Sequence, residues 1–156
     1  MTWLSRLTEL GLVLPPVATP AGAYLPAVRS GSLVFTAGQL PMINGALAAT
    51  GKLGAEIDPT RGPELARICA LNALAAVDGL VGLDAVVQVV KVVGFVASAP
   101  GFTAQPAVVN GASQLLDEVF GAAGAHARSA VGVAELPLGA PVEVELVVEV
   151  SAGAAG

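Results

Sequence analysis

Charge is scarce in this chain. Of its 156 residues only 12% are Asp, Glu, Lys or Arg, while 54% are apolar; a typical soluble domain is about a quarter charged. The seven basic residues are scattered and the net charge is −5, so no clustered Lys/Arg footprint is available for nucleic acid. Cysteine and histidine occur once each, as Cys69 and His126. That excludes an intrachain disulfide, fits a reducing, cytoplasmic compartment, and leaves no Cys/His cluster at metal spacing. Cys69 reads as a small core residue of a helix and His126 as a solvated loop residue. Long apolar runs are missing too: Asp78, Asp84 and Lys91, with Gly79 and Gly82, interrupt the longest candidate, and a bilayer span needs about 18 or more. The first sixteen residues have too short an apolar core, and no small-residue cleavage pattern, for a signal peptide. No phosphate-binding loop or dinucleotide fingerprint occurs, since Gly38 runs into Gln39, Leu40 and Pro41. No G-x-S-x-G elbow supports a serine nucleophile.

What is present is apolar side chain in excess of what a single domain of this length can hide. That excess predicts a homo-oligomer. Residues 3–10 have the spacing of a short amphipathic helix, and residues 24–37 of two strands about Ser30–Gly31–Ser32. The Gly-punctuated stretch 42–57 is expected to hold a short strand. A long helix follows from Thr60, the expected N-cap, to about Leu80. Val86–Val96 is β-branched and reads as a buried strand. A second amphipathic helix spans 106–121, two closing strands follow, and 151–156 is expected as a frayed, disordered tail. The order β-β-(β)-α-β-α-β-β predicts an α+β domain over 1–156, with residues 1–23 as an N-terminal helix and loop extension. Its single mixed sheet of five or six strands should carry both helices on one face, leaving the other for neighbouring subunits.

Chemistry concentrates in residues 128–149. Arg128 is the only arginine of the C-terminal half, and it enters an apolar strand, where burial without an anion is costly. A guanidinium there suits bidentate capture of a small carboxylate, or else a structural ion pair. Glu143, Glu145 and Glu149 alternate with Val142, Val144, Leu146 and Val148, placing the carboxylates on one strand face. If residues 137–141 close a simple hairpin, Arg128 and Glu143 lie roughly 20 Å apart at about 3.3 Å per residue. They would then meet only between subunits, or if the connection is not a hairpin.

Tyr24, the run Gly38–Gln39–Leu40–Pro41, Ala127–Arg128–Ser129, Leu136–Pro137 and the E-x-E of Glu143 and Glu145 together resemble the RidA/YjgF family of imine deaminases, from about Tyr24 to Val150. The resemblance implies a chorismate-mutase-like fold and a homotrimer with clefts between subunits. It also implies hydrolysis of reactive 2-imino or enamine acids, of the 2-iminopropanoate or 2-iminobutanoate type, to 2-keto acids and ammonia. Arg128 would bind the substrate carboxylate and Glu143 would position the attacking water. Tyr24, Gly38, Gln39, Phe102, Ser129 and Ala130 would line the site, with no cofactor and no metal. The partners implied are a small imino or keto acid and two further copies of the chain, with no nucleic acid and no membrane. The chain departs from the family pattern at Ala130 and Gly132, and across residues 98–102, where only Phe102 corresponds, which implies an altered pocket. A non-catalytic small-carboxylate-binding trimer is the alternative, and ribonuclease activity a distant third.

Overall fold

Twelve residues of β-branched and apolar sequence, Val86–Ala97, form the longest strand, and the sheet is assembled on both of its edges. In the computed structural model, which describes residues 1–155, the order is α1 (Trp3–Glu9), β1 (Ala27–Ser30), β2 (Leu33–Thr36), β3 (Met42–Ile43), β4 (Ala46–Leu47), α2 (Gly62–Val81), β5 (Val86–Ala97), α3 (Gln105–Phe120), β6 (Ala127–Val133) and β7 (Val142–Val150). Five strands make one mixed sheet in the order β1-β2-β7-β5-β6, with β6 parallel to β5 and the other pairs antiparallel. The expected α+β architecture is thus observed.

The closing strands are not a hairpin. β5 lies between β6 and β7, and residues 134–141 cross its end, where Ala97 N–H donates to the Pro141 carbonyl at 2.9 Å. A parallel neighbour needs a crossover, and α3 supplies it between β5 and β6. The buried pattern of β7 alternates strictly: Val142, Val144, Leu146, Val148 and Val150 face the helices, and Glu143, Glu145, Val147 and Glu149 face away. Both long helices lie on the Val92, Val96 and Leu146 side, in one core with Leu65, Leu74, Val109 and Leu116. The opposite face carries Phe35, Val28 and Val131, each exposed, and no described element of the chain covers it.

Local differences from expectation have local causes. A 3-10 turn, Pro59–Arg61, leads into α2 and is capped by Asp58, whose carboxylate accepts from Thr60 N–H at 2.9 Å, so Thr60 sits inside that turn and is not the cap; α2 itself starts after Arg61 without a side-chain cap. Stretch 42–57 holds two short strands in a separate ribbon, turned by Asn44 and Gly45, both at positive φ; Asn-Gly is the residue pair such a turn requires. Tyr24 precedes the first strand by three residues, in a bend where its N–H donates to the Gly22 carbonyl at 3.0 Å. The residues after β7 form a turn, not a frayed tail: Arg29 donates to the carbonyls of Ser151 and Ala154. Gly156, the last residue of that expected tail, lies outside the described residues. No helix among the described residues is long and apolar enough to cross a membrane.

The helices approach closely at Gly111, where a Cβ would collide with the backbone carbonyl of Pro63. Backbone cannot move aside as a side-chain tip can. Gly111→Ala is therefore expected to cost about 3 kcal/mol, the upper end for overpacking, read as a lower denaturant midpoint at unchanged m value.

Candidate functional site

Two groups of predicted site residues form, separated by the sheet. Arg128 pairs in register with Val92, itself opposite Leu146, so its side chain lies on the helix face. There the guanidinium donates to Asn110 Oδ1 at 2.7 Å, to Ser113 Oγ at 3.2 Å and to the Pro106 carbonyl at 3.4 Å, all from α3. These acceptors are neutral. Among the described residues the ion pairs are Arg6–Glu9, Lys52–Glu135 and Arg67–Glu118, so Arg128 keeps its charge without a carboxylate.

His126 is half-buried and fully engaged, contrary to its reading as a solvated loop residue. Nδ1 lies 2.6 Å from the Gly124 carbonyl, which can only accept, so Nδ1 donates. In the singly protonated ring Nε2 then accepts the Ser113 hydroxyl proton across 2.9 Å. This leaves a Ser113 lone pair for Arg128. Asn110 and Ser113 join the site only through the fold; their spacing of three on α3 is the signal the sequence carries. Phe102 precedes the same helix, with its carbonyl accepting from Gln105 Nε2 at 2.8 Å. Ala130 packs against the core on the Arg128 side, whereas Ser129 is exposed on the opposite face.

The second group gathers around a bulge. Phe35 faces Val147 and Gln39 faces Val144, so the segment leaving β2 carries one residue more than β7 between these two pairs. The extra position falls within residues 36–38, and the Thr36 hydroxyl takes the Leu146 N–H at 3.0 Å in place of a ladder bond. The bulge turns Gly38 towards Glu143. A Cβ on Gly38 would overlap the Glu143 carboxylate, so glycine is what lets that carboxylate lie against the backbone. Gly38, Gln39 and Tyr24 also border a cleft of about 450 Å³. Glu143 does not line it but sits against the glycine that does.

Burial raises the Glu143 carboxyl above the ordinary value, and the neighbouring Glu145 charge raises it further. Burial likewise pushes the Cys69 thiol well up, with Glu143 adding to it. Cys69 lies in the core with Sγ 3.5 Å from the Val142 carbonyl, as an inert packing residue. Among the described residues no group of three His, Cys, Asp or Glu side chains could hold a metal ion.

Within one chain, then, Arg128 and Glu143 do not meet. β5 separates their strands, and Glu143 shares its register with Phe95 on the open face. Known proteins share this architecture. Residues 4–150 match the family described as "YjgF/chorismate mutase-like, putative endoribonuclease". The chain belongs to this family. Its relatives include protein TCP17 of Trypanosoma cruzi, 46% identical over 149 residues, covering 94% of this chain and 93% of that protein. The crystal structure of Atu1372 from Agrobacterium tumefaciens, a protein of unknown function, superposes with a TM-score of 0.88 at 44% identity, covering 96% of this chain and 92% of that one. E. coli TdcF with bound serine superposes with a TM-score of 0.62 at 27% identity, over 86% of this chain and 94% of that one.

Two outcomes are expected of the Gly38–Glu143 contact. Gly38→Ala meets the movable end of a side chain, so its melting temperature should stay within about 2 °C of wild type while any Glu143-dependent activity falls at least about tenfold. Glu143→Gln should match wild type in stability below the ordinary carboxylate range. As pH rises from the ordinary carboxylate value through the raised Glu143 value, the folded wild type holds its proton more firmly than the unfolded chain and loses stability that the amide keeps. Melting curves at pH 4 and pH 8 check this: the variant gains on wild type only at the higher pH.

Proposed function

We propose that the protein is a hydrolytic deaminase of reactive 2-imino acids, working in clefts shared between the subunits of a homotrimer. The observation that carries this reading is the Arg128 guanidinium, half-buried and held by three neutral acceptors, with no acid paired to it among the described residues. A cation so oriented has its charge left for an anionic ligand, and a planar fork suits a carboxylate. The serine bound to TdcF carries such a carboxylate on a small amino acid skeleton. The separation of Arg128 from Glu143 within one chain, and the uncovered apolar sheet face, both favour a site completed by a second copy.

The chemistry asks little of the protein. A protonated 2-imino acid, RC(=NH₂⁺)COO⁻, and water become RCOCOO⁻ and NH₄⁺. Arg128 holds the carboxylate and so orients the C=N carbon. The ionised Glu143 accepts a proton as water adds to that carbon, and a carboxyl with a raised pKa returns it to the nitrogen as the C–N bond breaks; the added hydroxyl gives its proton to the departing ammonia as the C=O bond forms. No electron transfer is involved. RNA cleavage, the activity in the family's description, is disfavoured by a net charge of −5 and by the scatter of the seven basic residues along the chain.

An amino-acid oxidase generating the imine in situ supplies the assay, with keto-acid release followed directly. Wild-type protein should accelerate release, and Arg128→Ala should lose about 100-fold in kcat/KM, about 2.7 kcal/mol at 1.36 per decade, with Arg128→Lys between them. Light scattering should give three chains per particle. Wild-type rates in Arg128→Ala would remove the anchor role. Saturable keto-acid binding without acceleration would instead identify a carboxylate-binding module.

A further inference from the structure

The cleft beside Gly38 is far larger than a three- or four-carbon imino acid needs. Its volume of about 450 Å³ falls within the ~300–1,000 Å³ of clefts that hold drug-sized ligands, whereas 2-iminopropanoate has only a handful of non-hydrogen atoms. One wall is residues 15–21, a stretch that sequence patterning marks only as loop. That wall is tied down at both ends. Upstream, Trp3 Nε1 donates to the Val86 carbonyl at 2.9 Å, and Leu12 and Leu14 pack on the core. Downstream, Ala21 N–H donates to the Tyr24 hydroxyl at 3.2 Å. Between them Val17 lies over Gly79 of α2, where a Cβ would come within 2.9 Å of its methyl group. Pro15, Pro16 and Pro20 restrict the intervening backbone, so the wall is built before any ligand arrives.

The remaining surface is neutral. Leu40, Met42 and Leu138 face the wall, and Asn72 of α2 is fixed by donating to the carbonyls of Ile68, Leu40 and Met42 at 3.0–3.3 Å. Among the described residues no Asp, Glu, Lys or Arg borders the cleft. A charged substituent placed there would lose its hydration without gaining a partner, while an apolar one is removed from water at no such cost. The reacting carbon would lie near the Glu143 carboxylate, and that carboxylate lies against Gly38 at the cleft's border, so only a residue without a side chain stands between the carboxylate and the cleft.

We infer that this cleft receives the side chain of the substrate, that the preferred substrates are 2-imino acids with large uncharged apolar side chains, and that residues 15–21 determine this specificity. The inference rests on the deaminase reading above. It is tested with imines generated from leucine, phenylalanine and alanine, in wild type and in Ala18→Leu, which fills the cleft from its wall; Ala21→Leu, on the same wall, serves if Ala18→Leu fails to fold. The leucine- and phenylalanine-derived imines should exceed the alanine-derived one at least tenfold in kcat/KM, and the wall variant should lower that ratio at least fivefold. A wild type that favours the alanine-derived imine, or a ratio unmoved by the variant, overturns the inference and leaves the deaminase reading standing. If no imine is accelerated, the deaminase reading fails and calorimetry decides the cleft alone. Binding of 4-methyl-2-oxopentanoate at least tenfold tighter than pyruvate, and lost in Ala18→Leu, then upholds the cleft as a receptor for apolar side chains without the substrate claim; equal or absent binding overturns both.

Discussion

The double ladder of β5 is the interaction on which the rest of the molecule depends. β5 pairs with β7 from Val86 to Val96 on one edge and, from Lys91 to Ala97, in parallel with β6 on the other. A parallel partner forces the chain through α3 between the two strands, and α3 then supplies every acceptor that holds Arg128. The same ladder brings Val92 beside Arg128 on the helix face and Phe95 beside Glu143 on the other. One pairing pattern therefore decides where both charges of the proposed chemistry lie, and it decides that one chain does not bring them together.

The scarcity of charge gives each remaining charge a definite electrostatic setting. Arg128 is solvated by an amide, a hydroxyl and a backbone carbonyl, which orient it without cancelling it. Ser113 stands at the centre of this arrangement, accepting from Arg128 on one side and donating to His126 on the other. Glu143 has the opposite setting: half-buried, beside Glu145, and allowed against the backbone only because residue 38 is glycine. An uncancelled cation favours an anion, and a carboxyl that holds its proton more firmly than usual suits proton transfer.

The N-terminal extension packs on the core and walls the cleft beside Gly38. α1 docks beside α3 through the edge-to-face contact of Trp3 with Phe120, ring centroids 5.1 Å apart. From that anchor the proline-bearing stretch is laid across α2 to form a cleft wall. Prolines and a glycine-accommodated valine make this wall by shape alone.

Much of the architecture was legible because it follows from period and punctuation. Alternation in residues 142–150 set the valines and leucine against the glutamates, and the apolar stripes of 62–81 and 105–120 made those helices one-sided. The Asn44–Gly45 ribbon and the Asp58 cap also rest on local turn chemistry, but there the pattern pointed to a single short strand and to Thr60 as the cap. Strand neighbours were not, because ladder hydrogen bonds join backbone groups that are alike in every residue, so the chain pattern could not distinguish a β6–β7 hairpin from strands parted by β5. For the same reason it could not show that Arg128 and Glu143 lie on opposite faces, that His126 reaches Ser113, or that residues 15–21 wall a cleft. Sequence by itself determined which residues are apolar, which turn, and which few carry charge; tertiary structure alone decided which of them are neighbours, because packing and pairing act between segments that the chain order leaves far apart.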